Sequence, residues 1–372
     1  MTDVFKVADL LINHSVKNFG HDIDIIACYG SQARGDSRKD SDLDIFYTPT
    51  EGKNPPINRT FLLEGLLYDF WGLSWKTLEG FATGNIRGWA FAPALVNQAK
   101  ILYSRSEDQV SRLNELKSRT GDLQKPDAKP QMIRRALNHF NKIMVHLVNL
   151  DRAREAGNLL DLRFSAWKIL LGVWECLALG NQVYFEKGLA KSLSKTSRFV
   201  YKPHDLDKMI NVIIISSNPE MIQETCEKMI NETRLVLREL QNSIKPSAVI
   251  QDQFNQFYPE MKDIITKLLA ACKRGDHLAA YTEAMILQTE VALTMSQITD
   301  AIGNTEFNLF SELTSMFDEY KFPDLMSNSY PDLAELKKKA ILFDIKLRRF
   351  LQENSVELCE YNTLEEFSKT MV

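Results

Sequence analysis

Residues 23–46 read IDIIACYGSQARGDSRKDSDLDIF, and the organisation of the N-terminal third of the chain follows from them. Ile23 to Tyr29 is a short, isoleucine-rich run stopped by Gly30, the pattern of a buried strand. A polar loop, GSQARGDSRKDS, leads to DLDIFY (42–47), which reads as a second strand opened by an acidic pair. Side chains alternate along a strand, so Asp42 and Asp44 point to one face and Leu43 and Ile45 to the core. Strand rise sets the two acidic Cα atoms about 6.7 Å apart, close enough for both carboxylates to grip ions in one site.

Working outward, Val4, Val7, Ala8, Leu11 and Val16 fall at helical spacing, with Thr2 or Asp3 to cap the helix and Gly20 to end it. EGKNPPINRT (51–60) reads as a loop, LLYDFWG (66–72) as a third strand and AKILY (99–103) as a fourth. At GDLQKPDAKPQ (121–131) the composition turns to that of a linker, and helical periodicity follows through Ile133, Leu137, Phe140, Met144 and Leu147. A largely apolar helix starts near Asn158 and closes at Gly180, and another fits 221–240. Pro246 and Pro259 frame a loose segment, after which two helices split at Arg274-Gly275-Asp276 and more helix runs through 333–351. The expected fold class is α+β, a mixed-sheet domain over 1–122, followed by a helical bundle over 130–243 and a further all-α domain over 255–372.

The 372 residues are 44% apolar and 25% charged, which suits a large packed core and excludes a disordered chain. A formal net charge of -4 argues against nucleic-acid binding through global charge, so a nucleic-acid partner is not expected. No run approaches 18 apolar residues, and the charged N-terminal helix does not read as a signal peptide. Cys28, Cys176, Cys226, Cys272 and Cys359 lie far apart with no C-x2-C pair, so a reduced, cytoplasmic protein is expected.

An acid-x-acid pair recurs by chance in a chain with 49 acidic residues; its setting here is what counts. A buried strand runs into Gly30-Ser31, a cationic loop with Arg34, Arg38 and Lys39 follows, and the acidic pair opens the next strand. Two unpaired carboxylates this close repel each other, and a hard divalent cation, Mg²⁺ or Mn²⁺, relieves the repulsion while bringing phosphate oxygens as partners. Asp69 interrupts an apolar run and offers a third carboxylate. Gly30 lets backbone approach a phosphate, and Ser31 adds a hydroxyl at a helix start. Such a cradle beside a carboxylate cluster is apparatus for nucleotidyl transfer. Trp71, Trp75 and Trp89 sit where a ring can stack, although tryptophan is usually packing surface.

The form G-S-x-A-R-G followed by S-D-x-D, from Gly30 to Asp44, resembles the signature of the nucleotidyltransferase superfamily with the polymerase-beta-type palm. It is closest to the bacterial minimal and antibiotic-modifying branch. The resemblance implies that Gly30 and Ser31 bind the triphosphate of ATP or another nucleoside triphosphate, with Arg34 and Lys39 as nearby cations. It implies that Asp42, Asp44 and Asp69 hold two Mg²⁺ ions. Antibiotic-modifying members add a helical domain with acceptor contacts and sometimes a carboxylate base; Arg154-Glu155-Ala156-Gly157 resembles that region, with Glu155 as the base, as does Gly180-Asn181 leading to Tyr184-Phe185 and Lys187. The implied reaction moves AMP from ATP to a hydroxyl of a small acceptor, an aminoglycoside or lincosamide antibiotic as the best single guess, and releases pyrophosphate. Two alternatives are a protein adenylyltransferase, docking its partner through the C-terminal helices, and a non-catalytic nucleotide-binding antitoxin or sensor. Arg134 and His139 resemble the R-x4-6-H element of HEPN ribonucleases, but five residues along a helix rotate by about 140°, so the two side chains diverge.

Overall fold

The computed structural model describes residues 3–39, 41–244, 250–299, 309–327 and 332–371; Thr2, Asp40 and Pro246 lie outside them. The chain divides into two compact units, Met1–Leu240 and Gln241–Val372, so the first two segments expected from the sequence share one unit. Among the described residues no helix is long and apolar enough to cross a membrane.

Five strands make the sheet of the first unit: β1 (Ile23–Tyr29), β2 (Leu43–Pro49), β3 (Arg59–Leu63), β4 (Leu66–Gly72) and β5 (Lys100–Ser104), in the order β3-β4-β2-β1-β5. The pairs β1/β2, β1/β5 and β3/β4 are antiparallel and β2/β4 is parallel, which makes the sheet mixed, as expected. The strand that the sequence reading missed is β3. It pairs with β4 through Glu64-Gly65, both at positive φ (54° and 80°), the backbone that a tight two-residue hairpin demands.

Alternation sends the two faces of the sheet to different cores. Leu43, Ile45 and Tyr47 of β2, with Tyr68 and Phe70 of β4, pack with Val7 and Ala8 of helix α1 (Val4–Phe19), whose first turn is capped by Asp3 accepting from the Phe5 N–H. Phe46, Ile25 and Ala27 face the other way, against α3 (Trp75–Ala82), α4 (Ala92–Gln98) and α5 (Glu107–Asp122). Between β1 and β2 lies the short α2 (Gly30–Arg34). Asp24 breaks the apolar run of β1 without cost because its carboxylate is fully spent: it accepts from Trp75 Nε1 (2.8 Å) and Thr50 Oγ1 (3.0 Å) and pairs with Arg105 (2.7 Å).

The linker expected at 121–131 shrinks to a 3₁₀ turn at Pro126–Ala128, because α5 runs to Asp122 and α6 (Lys129–Glu155) carries Pro130 in its first turn, where no N–H partner is needed. The chain turns at Gly157 (φ 64°) into α7 (Leu159–Gly180), capped by the Asn158 side chain. Gly172 of α7 lies so close to Ile143 of α6 that a Cβ there would sit 2.6 Å from it, so the two helices form one tight hairpin. Helices α8 (Leu189–Ser192), α9 (Leu206–Ile215) and α10 (Pro219–Asn242) follow.

The second unit is all helical, with α11 (Ile250–Gln253), α12 (Phe257–Arg274), α13 (His277–Thr299), α14 (Phe310–Leu313), α15 (Ser315–Tyr320), α16 (Leu333–Glu353) and α17 (Leu364–Ser368). The expected split at 274–276 is there: Gly275 ends α12 at φ 76°. Leu268, Leu287, Val291, Phe343 and Leu347 centre its core.

Asp24→Ala leaves Arg105 and the Trp75 N–H facing a void, and should cost about 3–5 kcal/mol of stability in urea unfolding, with Asp24→Asn costing less.

Candidate nucleotidyl-transfer site

Strand register gathers the acids that the sequence separates. Tyr29 of β1 stands opposite Asp44 of β2, and Asp44 stands opposite Asp69 of the parallel strand β4. Paired residues share a face, so the two carboxylates rise side by side, on the face away from α1. Asp42 immediately precedes β2, which begins at Leu43, one residue later than the sequence suggested, and it is exposed. Thr60 of β3 donates to Asp69 Oδ1 at 2.6 Å, so the unforeseen strand fixes the third acid's orientation.

Gly30 follows β1 directly at φ +76°, and a Cβ there would lie 2.8 Å from Asp44 Oδ2. Both facts require glycine: the conformation is costly for other residues, and the side-chain space is taken by the carboxylate. Gly35, also left-handed, ends α2 with its N–H on Ser31 O (3.1 Å). Ser31 Oγ is buried and has no hydrogen-bond partner among the described residues.

These residues open into a cleft of about 920 Å³ within the first unit. Gly30, Ser31, Asp42 and Asp44 line one wall, Arg87, Phe91 and Gln98 another, and Phe185 to Leu189 close it from the helical side. Burial, first of all, and then the charges of Asp42 and Asp69 push the Asp44 carboxyl up to about 6, with Arg34 pulling the other way. Tyr29, also in the lining, accepts from Trp71 Nε1 (3.2 Å), and its hydroxyl is pushed well up by burial and by Asp44.

The residues singled out in the sequence divide by position. Gly30, Ser31, Arg34, Asp42 and Asp44 line the cleft, and Asp69 stands in register beside Asp44. Arg34 is tied to the wall: it donates to Gln98 Oε1 (2.7 Å), the Glu186 carbonyl (3.2 Å) and Asp36 (3.1 Å). Lys39 and Glu155 are not in the lining; both are exposed, Glu155 as the last residue of α6. Trp75 and Trp89 are buried in the core, while Trp71 is half-buried beneath Arg87, whose guanidinium lies 5.3 Å from the ring centre. The expectation that 180–187 contacts the site fits the placement of Phe185, Glu186 and Lys187 in the lining.

Sequence reasoning passed over three residues. Arg87 and Lys191 line the cleft, and neither forms an ion pair among the described residues. Glu175 of α7 is the carboxylate that joins the helices to the sheet domain. Its oxygens accept from the Trp89 N–H (2.5 Å) and the Ala90 N–H (2.9 Å), presented by consecutive left-handed residues Arg87 (φ 60°) and Gly88 (φ 82°). Burial raises its pKa, against the two backbone hydrogen bonds and Arg135. The signal for it was an acid inside the apolar run LLGVWECLALG, the same signal that marked Asp69.

No group of three or more His, Cys, Asp and Glu side chains is arranged to hold a metal ion among the described residues. Mg²⁺, however, is commonly held by one or two carboxylates with substrate phosphates completing its shell. The donors present suit that division: two acids open to the cleft, unrelieved repulsion at Asp44, an unpartnered Ser31 hydroxyl, and a glycine where nothing larger fits.

Residues 111–243, from within α5 to just past α10, match the family model of the KNTase C-terminal domain. Among solved structures, a nucleotidyltransferase-like protein from Exiguobacterium sibiricum 255-15 aligns over 62% of this chain and 78% of its own, at 10% identity and a TM-score of 0.39. No curated protein matches. Residues 111–243 are thus similar to the KNTase C-terminal domain, and the Gly30-to-Asp44 motif lies in the mixed five-stranded sheet that precedes them.

Proposed function

We propose that the chain transfers a nucleoside monophosphate, AMP from ATP in the first instance, to a hydroxyl of a small acceptor, with Mg²⁺ as cofactor. One observation carries the reading: the Gly30 backbone presses against Asp44 while the adjoining Ser31 hydroxyl is buried without a partner, a pairing of carboxylate and open donor that suits a metal-bound triphosphate. Ser31 and the loop beyond it hold phosphate oxygens, and the cleft cations Arg38 and Lys191 balance their charge. Asp42 and Asp44 would hold Mg²⁺, which when bound neutralises phosphate charge and acidifies the acceptor hydroxyl. The acceptor oxygen forms its bond to the α-phosphorus as the α–β bridging P–O bond breaks, and pyrophosphate leaves with the electron pair. We assign the hydroxyl proton to Asp69, which stands in register beside Asp44 and is oriented by Thr60, and not to Glu155, which is exposed at the end of α6.

Incubation with ATP labelled at the α-phosphate and Mg²⁺, over a panel of hydroxyl-bearing molecules that includes aminoglycosides and lincosamides, should yield a labelled product. Asp42→Asn should slow it by about 10²–10³-fold. Label on a protein band instead identifies a protein acceptor. Magnesium-linked nucleotide binding without any transfer identifies a sensor, and no such binding overturns the reading.

The burial of Asp44, with the repulsion from Asp42 and Asp69 after it, has a second consequence. Its pKa is raised from 3.8 to about 6, so ionised Asp44 destabilises the metal-free fold above about pH 6, and the penalty fades as pH falls from 6 toward 4. In EDTA at pH 8, Asp44→Asn should stabilise the chain by about 1–2 kcal/mol, after allowing for solvent screening at a partly exposed group, and near pH 4 the gain should vanish. Unfolding midpoints at the two pH values check it.

A further inference from the structure

A second cavity, of about 380 Å³, adjoins the cleft: Arg87 and Phe91 line both. Its walls come from the α6/α7 hairpin and from the segment between Arg87 and Phe91, and carry three cations. His139, Lys142 and His146 succeed one another at helical spacing on α6, and Lys168 faces them from α7. Among the described residues Arg87, Lys142 and Lys168 form no ion pair; Lys168 lies over the Phe164 ring at 5.5 Å and Arg87 over Trp71 and Phe81. The one carboxylate in the lining, Glu175, is already spent on the Trp89 and Ala90 N–H groups and lies within the field of Arg135. Burial, and after it the adjacent lysine, lowers the pKa of both histidines (Lys142 for His139, Lys168 for His146), which leaves them as neutral hydrogen-bonding groups beside fixed positive charge. Three cations with no ion-pair partner among the described residues line one partly enclosed, partly apolar cavity, an arrangement that favours an anion and disfavours a polycation.

Building on the transfer reading above, we propose that this second cavity is the acceptor subsite and that the acceptor is a small phosphate-bearing molecule. Its phosphate is held between Lys142, Lys168 and Arg87, and its hydroxyl is directed past Arg87 into the carboxylate-lined cleft. The cavity's size suits a sugar phosphate. The cationic lining selects against an aminoglycoside, whose several ammonium groups would meet Arg87, Lys142 and Lys168 with no free carboxylate to receive them. The transfer step is unchanged: the acceptor oxygen bonds to the α-phosphorus, the α–β bridging bond breaks, pyrophosphate departs, and the hydroxyl proton goes to Asp69.

The test uses the full chain saturated with a non-hydrolysable ATP analogue and Mg²⁺, titrated calorimetrically with inorganic phosphate. Phosphate should bind, Lys142→Gln/Lys168→Gln should weaken it at least tenfold while analogue affinity stays within twofold, and Lys168→Arg should retain it. In the label-transfer assay, a hexose monophosphate should accept AMP, and the matching free hexose and an aminoglycoside should not. The proposal is overturned by phosphate binding that is absent, insensitive to the double substitution or blocked by the analogue, or by an aminoglycoside accepting label as well as the hexose phosphate. Failure of magnesium-linked analogue binding, with phosphate still bound by Lys142 and Lys168 in the nucleotide-free chain, would sink the transfer reading and leave the cavity an anion site of another function.

Discussion

A carboxylate held partly out of water, with two more carboxylates around it, is the constraint on which the site turns. Asp44 lies on the central strand of the sheet, in register with Asp69 and close to Asp42, and burial adds to their repulsion. A fold tolerates such a group only where something else is gained, because desolvated like charges oppose folding. The residues around it are shaped by the same demand. Position 30 must be glycine to clear the carboxylate, position 31 presents a hydroxyl with no internal partner, and Thr60 orients the third acid. Each feature costs stability or freedom alone, and together they suit the cation and phosphate chain proposed for this cleft.

A second carboxylate does structural work of the opposite kind. Glu175 is satisfied by two backbone N–H groups, and the left-handed Arg87-Gly88 step that presents them is backbone that needs such an anchor. That capture pins the α6/α7 hairpin to the loop beyond α3 and leaves Arg87 exposed at the boundary of two cavities. The tie of Arg34 to Gln98 and the Glu186 carbonyl is a second clasp between the same parts. The sheet and the first helices therefore form one unit, although the composition shift at 121–131 suggests a division. Proline-rich composition marks a turn in the chain; whether domains separate there depends on contacts made far away in sequence.

Acids inside apolar runs show how much of the site was legible. Asp24, Asp69 and Glu175 carry the same local signal, an ionisable group where burial is expected. Their fates differ because their partners differ: Arg105, Trp75 and Thr50 for Asp24, two backbone N–H groups for Glu175, and another carboxylate's neighbourhood for Asp69. No window of sequence contains those partners. Strand β3 was missed for a different reason. Its two turn residues, Glu64 and Gly65, are a weaker hairpin signal than asparagine-glycine, and the preceding proline-rich loop masked the strand's start. Glu155 was misjudged because a helix-end glutamate followed by glycine looks the same whether it meets a cleft or, as here, solvent.

The sequence by itself determined the strand–Gly-Ser–loop–strand core, the acidic pair at the start of β2, and the helical character of the described elements beyond residue 130. Those properties depend on alternation, helical spacing and glycine's backbone freedom, all of which act over a few residues. Only the tertiary structure decided how the third acid is oriented, which cations remain unpaired, and how the α6/α7 hairpin meets the cleft. These are matters of charge and partner counted across distant segments, and electrostatic pairing acts through space without regard to chain order.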